Sequence, residues 1–468
     1  MRTLERVTPT PEQLTVIDNP DPGFWLIKGA AGSGKTTTAL LRLRFLVRYW
    51  RERRASLGLV RPVRVLVLTF NRTLRGYIAE LTEQQVPVGE AVDLDISTFG
   101  FWSSALSGRS LLEAEPQELR LRQLALGNLS WPTEFMLSEV NYVQGLYMPE
   151  ERADYLTAKR TGRGRHPTVT AEQRQILLEK VLAPYDVWKK ERDVVDWNDL
   201  AVDLAWNQRT DPYDIVVVDE AQDFSANQVR AVVNHLVDDD FTCTFIRDTT
   251  QRIYPNAFVW RDVDVQFDPG HSRHLETNYR NTKQIAAFAR PLVHGIEQGE
   301  DDSLPDFSSA KRDGSMPTVL RGKFSEQLDW AIDYLKAQVI GTEETVAFLH
   351  PKGGRWFGFL RRRLNEEGIE WTSLTRQTEW PTGSEQVALS TMHSAKGLEF
   401  DHVVILGFNA EVVQHGDEDD DVRLDAQRRL LAMAVGRARA SVVLGYKPSD
   451  ASRLIEFLDP ETYTAVDL

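Results

Sequence analysis

The sequence predicts an α/β protein of two lobes, each a parallel sheet flanked by helices, with a helical insertion in the first lobe. Three observations carry this expectation. Short apolar runs alternate with helix-like segments, and the alternation occurs twice along the chain. Several of those runs are continuously apolar, the pattern of strands buried on both faces of a parallel sheet. Between about 103 and 205 the character changes to long helical stretches with few strand signals.

In the first half the strand candidates are 23–29 (GFWLIKG), 63–70 (VRVLVLTF), 214–220 (DIVVVDE) and 241–248 (FTCTFIRD). In the second half they are 318–324, 345–351, 386–392, 402–408 and 441–446. Helical patterns follow them, as in KTTTALLRLRFLVRYWRER after the first strand. Alternating βα units indicate a doubly wound arrangement, here expected as lobes 1–265 and 266–468. The middle stretch reads as helices through LLEAEPQELRLRQLALG and TAEQRQILLEKVLAPYDVWKKERD. Its basic segment, Lys159 to Arg165, reads equally as a solvated loop or as a contact to phosphates. Residues 297–317 and the acidic run 416–421 read as polar loops.

Composition narrows the class. The 468 residues exceed one compact core, and 42% hydrophobic with 26% charged residues is ordinary for a soluble globular protein. The chain has no apolar run of membrane-spanning length and no secretory h-region, so a cytoplasmic setting is expected. The single cysteine, Cys243, excludes an internal disulfide and fits a buried strand thiol. A net charge of −14 argues against non-specific coating of DNA, yet leaves room for a strand held in a local groove.

The strongest local signal is Gly29-Ala30-Ala31-Gly32-Ser33-Gly34-Lys35-Thr36, a match to the phosphate-binding P-loop. An apolar strand precedes it and an apolar-periodic helix follows, as the mechanism demands. Glycines let the backbone wrap phosphates, and the N–H groups of the loop and helix start face the anion. Lys35 is expected at the β- and γ-phosphates and the Thr36 hydroxyl on Mg²⁺, with Thr37 also in the ATP cradle. A P-loop site needs carboxylates at a neighbouring strand end, and Asp219-Glu220 supply them. Asp219 is expected in the Mg²⁺ shell, and Glu220 is placed to orient and deprotonate the attacking water.

The carboxylates continue as Asp219-Glu220-Ala221-Gln222-Asp223, and DEAQD at this place resembles the superfamily 1 DNA helicases of the UvrD/Rep type. Further motifs of that family follow in order. Thr10-Pro11-Glu12-Gln13 resembles the Q-motif, which implies that Gln13 reads adenine. Leu68 to Arg72 resembles motif Ia, Ser97-Thr98-Phe99 motif Ib, and Arg247 to Tyr254 motif III. Leu275 to Arg280 resembles motif IV, Ser390 to Phe400 is a close match to motif V, and Arg428 to Ala438 resembles motif VI. The resemblance runs from Gln13 to about Arg437 and implies two RecA-like P-loop lobes closing on ATP.

It further implies that Arg280 and Arg437 act as arginine fingers and that Gln251 senses the γ-phosphate. Tyr279 offers a ring to stack on adenine, and Glu399 a carboxylate for the ribose. For nucleic acid, Thr69, Asn71, Thr391 and His393 are polar groups just beyond strands, and Phe70, Phe99, Tyr254 and Trp260 are aromatics near strand ends. The expected activity is ATP-driven translocation on single-stranded DNA, with unwinding at duplex junctions and, by resemblance, 3′ to 5′ polarity. Arg247 and Gly436 depart from the family's common residues, as does the long spacing between Tyr254 and Trp260. Strands follow one another closely between 318 and 446, so the large insertion called 2B is expected to be absent. That compactness keeps a second class open: a DNA-activated ATPase subunit of a repair or antiviral defence complex, working with a protein partner. An RNA helicase and an inactive nucleotide-binding scaffold rank below both.

Overall fold

A computed structural model describes residues 9–29, 32–69, 75–76, 78–79, 91–158, 168–248, 258–275, 277–278, 280–296, 310–375, 377, 380–381, 383–413 and 421–468. Two sheets organise the chain. The first contains β1 (Gly23–Gly29), β2 (Val63–Thr69), β3 (Val92–Thr98), β4 (Ile215–Val218), β5 (Thr242–Asp248) and β6 (Phe267–Leu275), in the order β3-β2-β4-β5-β1-β6. The second contains β7 (Thr318–Arg321), β8 (Val346–His350), β9 (Trp371–Ser373), β10 (Val387–Thr391), β11 (Phe400–Ile405), β12 (Ala438–Tyr446) and β13 (Thr464–Asp467). Its order is β13-β7-β12-β11-β8-β10-β9. Every strand pairing in both sheets is parallel.

This is the two-lobed α/β architecture that the apolar runs predict. The central strands β4 and β8 are buried along their whole length, which is why their sequences are unbroken Val, Ile, Ala, Leu and Phe up to a terminal His. The edge strand β6 lies beyond residue 265, where the first lobe was expected to end, and pairs with β1 in the first sheet.

Between β3 and β4 the chain is helical: Phe99–Ser107, Ala114–Ala125, Thr133–Leu146, then a run from Ala171 to Glu191 and a last helix, Trp197–Trp206. These helices bury a core of their own, with Leu121, Val140, Val143, Leu177, Val181 and Tyr185 at its centre. Buried Lys189 joins the helix Ala183–Glu191 to the helix Trp197–Trp206 through Asp196 at 2.8 Å and Asp199 at 2.6 Å. The basic segment Lys159–Arg165 lies outside the described residues, as do most of 297–317 and 416–420 of the acidic run.

Asp214, just before β4, ties three elements together. It accepts from the main-chain N–H of Arg64 on β2 at 2.8 Å and pairs with Arg61 at 3.0 Å. Arg54, in the last turn of the helix that follows the P-loop, is its third partner, and both Arg54 and Asp214 are buried. Removing one member of a buried pair leaves the other charge uncompensated. Asp214→Ala is expected to cost about 3 kcal/mol, read as a lower denaturant midpoint with little change in slope.

His350 ends β8 with its ring buried beside Trp356 and Phe357. Its Nδ1 accepts from the N–H groups of Lys352 at 3.1 Å and Gly353 at 2.8 Å, which fixes the neutral ring. Burial, helped by the charge of Lys352, pushes the imidazole from 6.5 down to about 4. A depressed histidine contributes stability in full above its unfolded value and loses it as pH falls from 6.5 towards 4. The loss is expected to reach at most about 3 kcal/mol. Unfolding curves at pH 7 and 4.5 should show a smaller acid loss for His350→Asn than for the native chain.

Candidate nucleotide and nucleic-acid sites

The P-loop follows β1 and opens onto the helix Lys35–Ser56. Gly34 caps that helix at φ 78° and Gly32 stands at φ 83°, the left-handed region that glycine enters without penalty. Space is tight as well. A Cβ on Gly32 would lie 2.4 Å from Asn278 Oδ1, and one on Gly34 would lie 2.5 Å from Gln13 Nε2. Lys35 is buried, its Nζ donating to Gly29 O at 2.9 Å. Ser33 Oγ is buried with no hydrogen-bond partner among the described residues. An orphaned hydroxyl beside outward-facing helix N–H groups suits phosphate oxygens. Thr37 is half-buried on the first turn, while Ala30 and Ala31 lie outside the described residues.

Gln13 sits in the first helix, Pro11–Ile17, which Thr10 caps. Its Oε1 accepts from Thr10 N at 3.0 Å and its Nε2 donates to Ser33 O at 3.3 Å. The amide is therefore locked onto the P-loop, on the nucleotide side of the lobe.

β4 delivers the carboxylates. Asp219 N donates to Leu68 O at 2.8 Å, holding the strand end against β2. The Thr36 hydroxyl donates to Asp219 Oδ2 at 3.1 Å, so both expected Mg²⁺ ligands face one point. Burial, reinforced by the charge of Glu220, raises the Asp219 carboxyl to about 7. A buried carboxylate beside a second acid and a hydroxyl is an oxygen donor set that fits a hard divalent cation. Glu220 stands in the left-handed region at φ 54°, a strained placement for a non-glycine residue that turns the chain sharply after Asp219.

Arg280 leads from the first lobe into the second. Its guanidinium pairs with Glu399 and donates to Gly436 O at 3.5 Å, while its Nε is buried and without a partner among the described residues. Burial pushes the Glu399 carboxyl upward, but Arg280, with Arg439 and Arg437, outweighs it and holds the group below its ordinary range. Glu399 was expected at a ribose; here it holds the arginine. Arg437 is buried, donating to Met433 O at 3.2 Å and Leu398 O at 3.4 Å. Tyr279 and Gln251 lie outside the described residues.

For nucleic acid the outcome is divided. Phe99 and Trp260, both expected to face a groove, are buried. Phe99 packs on Trp102 and Phe224, and Trp260 on Phe245, Phe258 and Phe267 with ring centroids 4.7 to 5.3 Å apart. Burying these large rings in the first lobe's core outweighs leaving them in water. Thr69 ends β2 and is buried beside the carboxylate strand. Thr391 and His393 lie on the turn after β10; the Thr391 hydroxyl meets Ser394 Oγ at 3.0 Å, and His393 is exposed. Phe70, Asn71 and Tyr254 lie outside the described residues.

Residues 13–257, more than half of the chain, match the AAA domain family, and residues 363–449 match the UvrD-like helicase C-terminal domain. The chain belongs to the UvrD/Rep type of superfamily 1 helicases. Its enzyme class is that of the ATP-dependent DNA helicases. It is 22% identical to a probable DNA helicase of Mycoplasma pneumoniae, over 93% of this chain and 85% of that protein. It is 22% identical to DNA helicase IV of Escherichia coli, over 98% of this chain and 71% of that protein. With the ATP-dependent DNA helicase Rep of Escherichia coli it shares 25% identity over 34% of this chain and 20% of that protein.

In this UvrD/Rep-type chain several site residues escaped residue-by-residue reading of the sequence. Asn278 accepts from the N–H groups of Arg280 and Asn281, both at 3.0 Å. Asn281 donates to Gly436 O at 3.2 Å and Ala438 O at 2.7 Å, pinning the segment after β6 to the second lobe. Lys396 reaches across to Asp223 and Glu220. Asn278 and Lys396 lie inside motifs already recognised, and Asn281 directly follows one. The partners of Asn281 and Lys396 are distant in sequence, so no local signal announced them. Among the described residues no helix is long and apolar enough to cross a membrane.

Proposed function

We propose that this chain is an ATP-driven single-stranded DNA translocase that unwinds duplex junctions, moving 3′ to 5′. Support comes above all from one observation: Lys396 of the second lobe lies on the DEAQD carboxylates of the first, so lobe contact and the hydrolysis site share atoms. On this reading the lobes divide after β6. ATP lies between the P-loop and the Arg280–Arg437 region. Lys35 binds the phosphates, Glu220 orients and deprotonates the attacking water, and Arg280 and Arg437 meet the transferred charge when the cleft closes. Mg²⁺, held by Thr36 and Asp219, neutralises phosphate charge when bound. Thr69, Thr391 and His393 are the described polar candidates for the DNA strand, and closure and opening against that strand convert hydrolysis into steps.

The direct test is unwinding of partial duplexes carrying a single-stranded tail at either end. Displacement of the 3′-tailed duplex alone supports the proposal, and displacement of the 5′-tailed duplex alone would reverse the polarity. ATP turnover stimulated by DNA without displacement of either would favour the second reading, a DNA-activated ATPase subunit of a repair or defence complex. One observation favours that alternative. A single short helix separates β7 from β8 and β8 from β9, leaving the second lobe compact.

A further inference from the structure

We propose that a pocket on the second lobe docks an acidic peptide segment of a protein partner, through an apolar anchor and carboxylates. None of its lining residues belongs to the nucleotide or strand candidates described above.

The pocket lies between one helix and the last turns of the chain. The helix Lys283–Val293 buries Ile285, Phe288, Ala289, Leu292 and Val293 in the core. Lys283, Ala287, Arg290 and His294 recur at helical spacing on its other side and are exposed. Facing that stripe, the turns Arg453–Phe457 and Pro460–Thr462 bring Phe457, Asp459 and Thr462. The space enclosed is about 610 Å³, the size of a ligand site.

Buried Arg428 ties the two walls together. From the helix Val422–Val435 its Nε donates to Leu292 O at 2.9 Å and its Nη2 to His294 O at 2.5 Å. Carbonyls at the end of the pocket helix are thereby satisfied. The same guanidinium lies 4.1 Å from the centroid of the Phe457 ring. On the opposite wall the Thr462 hydroxyl donates to Asp459 O at 2.7 Å. Helix, ring and turn are therefore set before a ligand arrives, which lowers the cost of binding.

The lining selects the chemistry of the occupant. Ala287, Pro291 and Phe457 offer an apolar surface to one leucine- or phenylalanine-sized side chain. Arg290 makes no ion pair among the described residues, and Lys283 has only an exposed pair with Asp313 at 3.1 Å. Acceptors stand beside these cations. Pro291 has no N–H, so Ala287 O loses its intrahelical donor and that acceptor is left for a ligand. Asp459 adds a carboxylate. A DNA backbone brings only acceptors and negative charge, which Asp459 repels. A peptide brings main-chain N–H donors for Ala287 O and Asp459, with glutamate or aspartate carboxylates for Arg290 and Lys283.

The test offers the native chain, Arg290→Glu and Ala287→Trp a pool of N-acetylated octapeptides. Glutamate fills alternate positions, with leucine, phenylalanine, serine or glycine between. Retained peptides are identified by mass, and their affinity is read by fluorescence anisotropy. The native chain is expected to retain glutamate-rich peptides that carry leucine or phenylalanine. Each variant should weaken them roughly tenfold or more, Arg290→Glu by reversing the charge and Ala287→Trp by filling the space. Arg290→Lys, which keeps the charge, should preserve most of the affinity. Both positions are exposed, so the unfolding midpoints of the variants should match the native one. No retention by the native chain, or equal affinity in the native chain and both variants, would overturn the proposal. Oligo-dT binding that weakens in both variants would assign the pocket to nucleic acid and overturn it as well.

Discussion

Glu220→Gln is expected to lower ATP turnover by roughly a hundred- to ten-thousandfold while leaving nucleotide affinity almost unchanged. Glutamine keeps the shape and the hydrogen bond but accepts no proton from water. The environment of Glu220 makes this substitution clean. Its main-chain N–H donates to Asp219 Oδ1 at 2.9 Å, so the backbone turn does not depend on the side chain. The left-handed φ of 54° is a backbone property that glutamine inherits. Steady-state hydrolysis beside fluorescent-nucleotide titration separates the two effects. A loss of less than tenfold in kcat would remove Glu220 from the role of general base.

Lys35→Ala is expected to lower kcat/KM for ATP by roughly a hundred- to a thousandfold. Its ammonium is parked on Gly29 O at 2.9 Å, inside the loop that it is to serve. That placement leaves the charge one short side-chain movement from a bound phosphate. Alanine removes the charge at the point where negative charge gathers in the reaction. Unlike Glu220→Gln, this change should weaken nucleotide binding as well as turnover. Unchanged binding and turnover in Lys35→Ala would mean that the P-loop does not cradle the phosphates.

The legible part of the fold was its interior. The strands foreseen from apolar runs are β1, β2, β4, β5, β7, β8, β10, β11 and β12, all flanked by neighbours on both sides. Those not foreseen, β3, β6, β9 and β13, are the four edges of the two sheets. An edge strand pairs on one side and tolerates water on the other, so its sequence is free to be polar. β6 reads FDPGHSRHL, with a proline that only an edge or a bulge accommodates. This also explains why the division between lobes, expected at 265, fell before a strand of the first sheet.

The nucleotide site was legible because P-loop and strand-end carboxylates are local patterns with a fixed spacing. Residues acting across the lobes were not. Lys396 and Asn281 find their partners far away in sequence, and only the fold brings them together. The aromatics are hard to read for a simpler reason. Phe99 and Trp260 stand at strand ends, where a groove residue would stand, but the same location borders the first lobe's core. Sequence position does not say which way a ring turns, and an apolar core offers a large ring more than solvent does.

The central claim is that ATP hydrolysis between the lobes is coupled to a bound DNA strand. Its most direct test is the steady-state ATPase rate of the native chain with and without single-stranded DNA, with Lys35→Ala as control. The account predicts a strong rise with single-stranded DNA that the control lacks. No rise with DNA would contradict it.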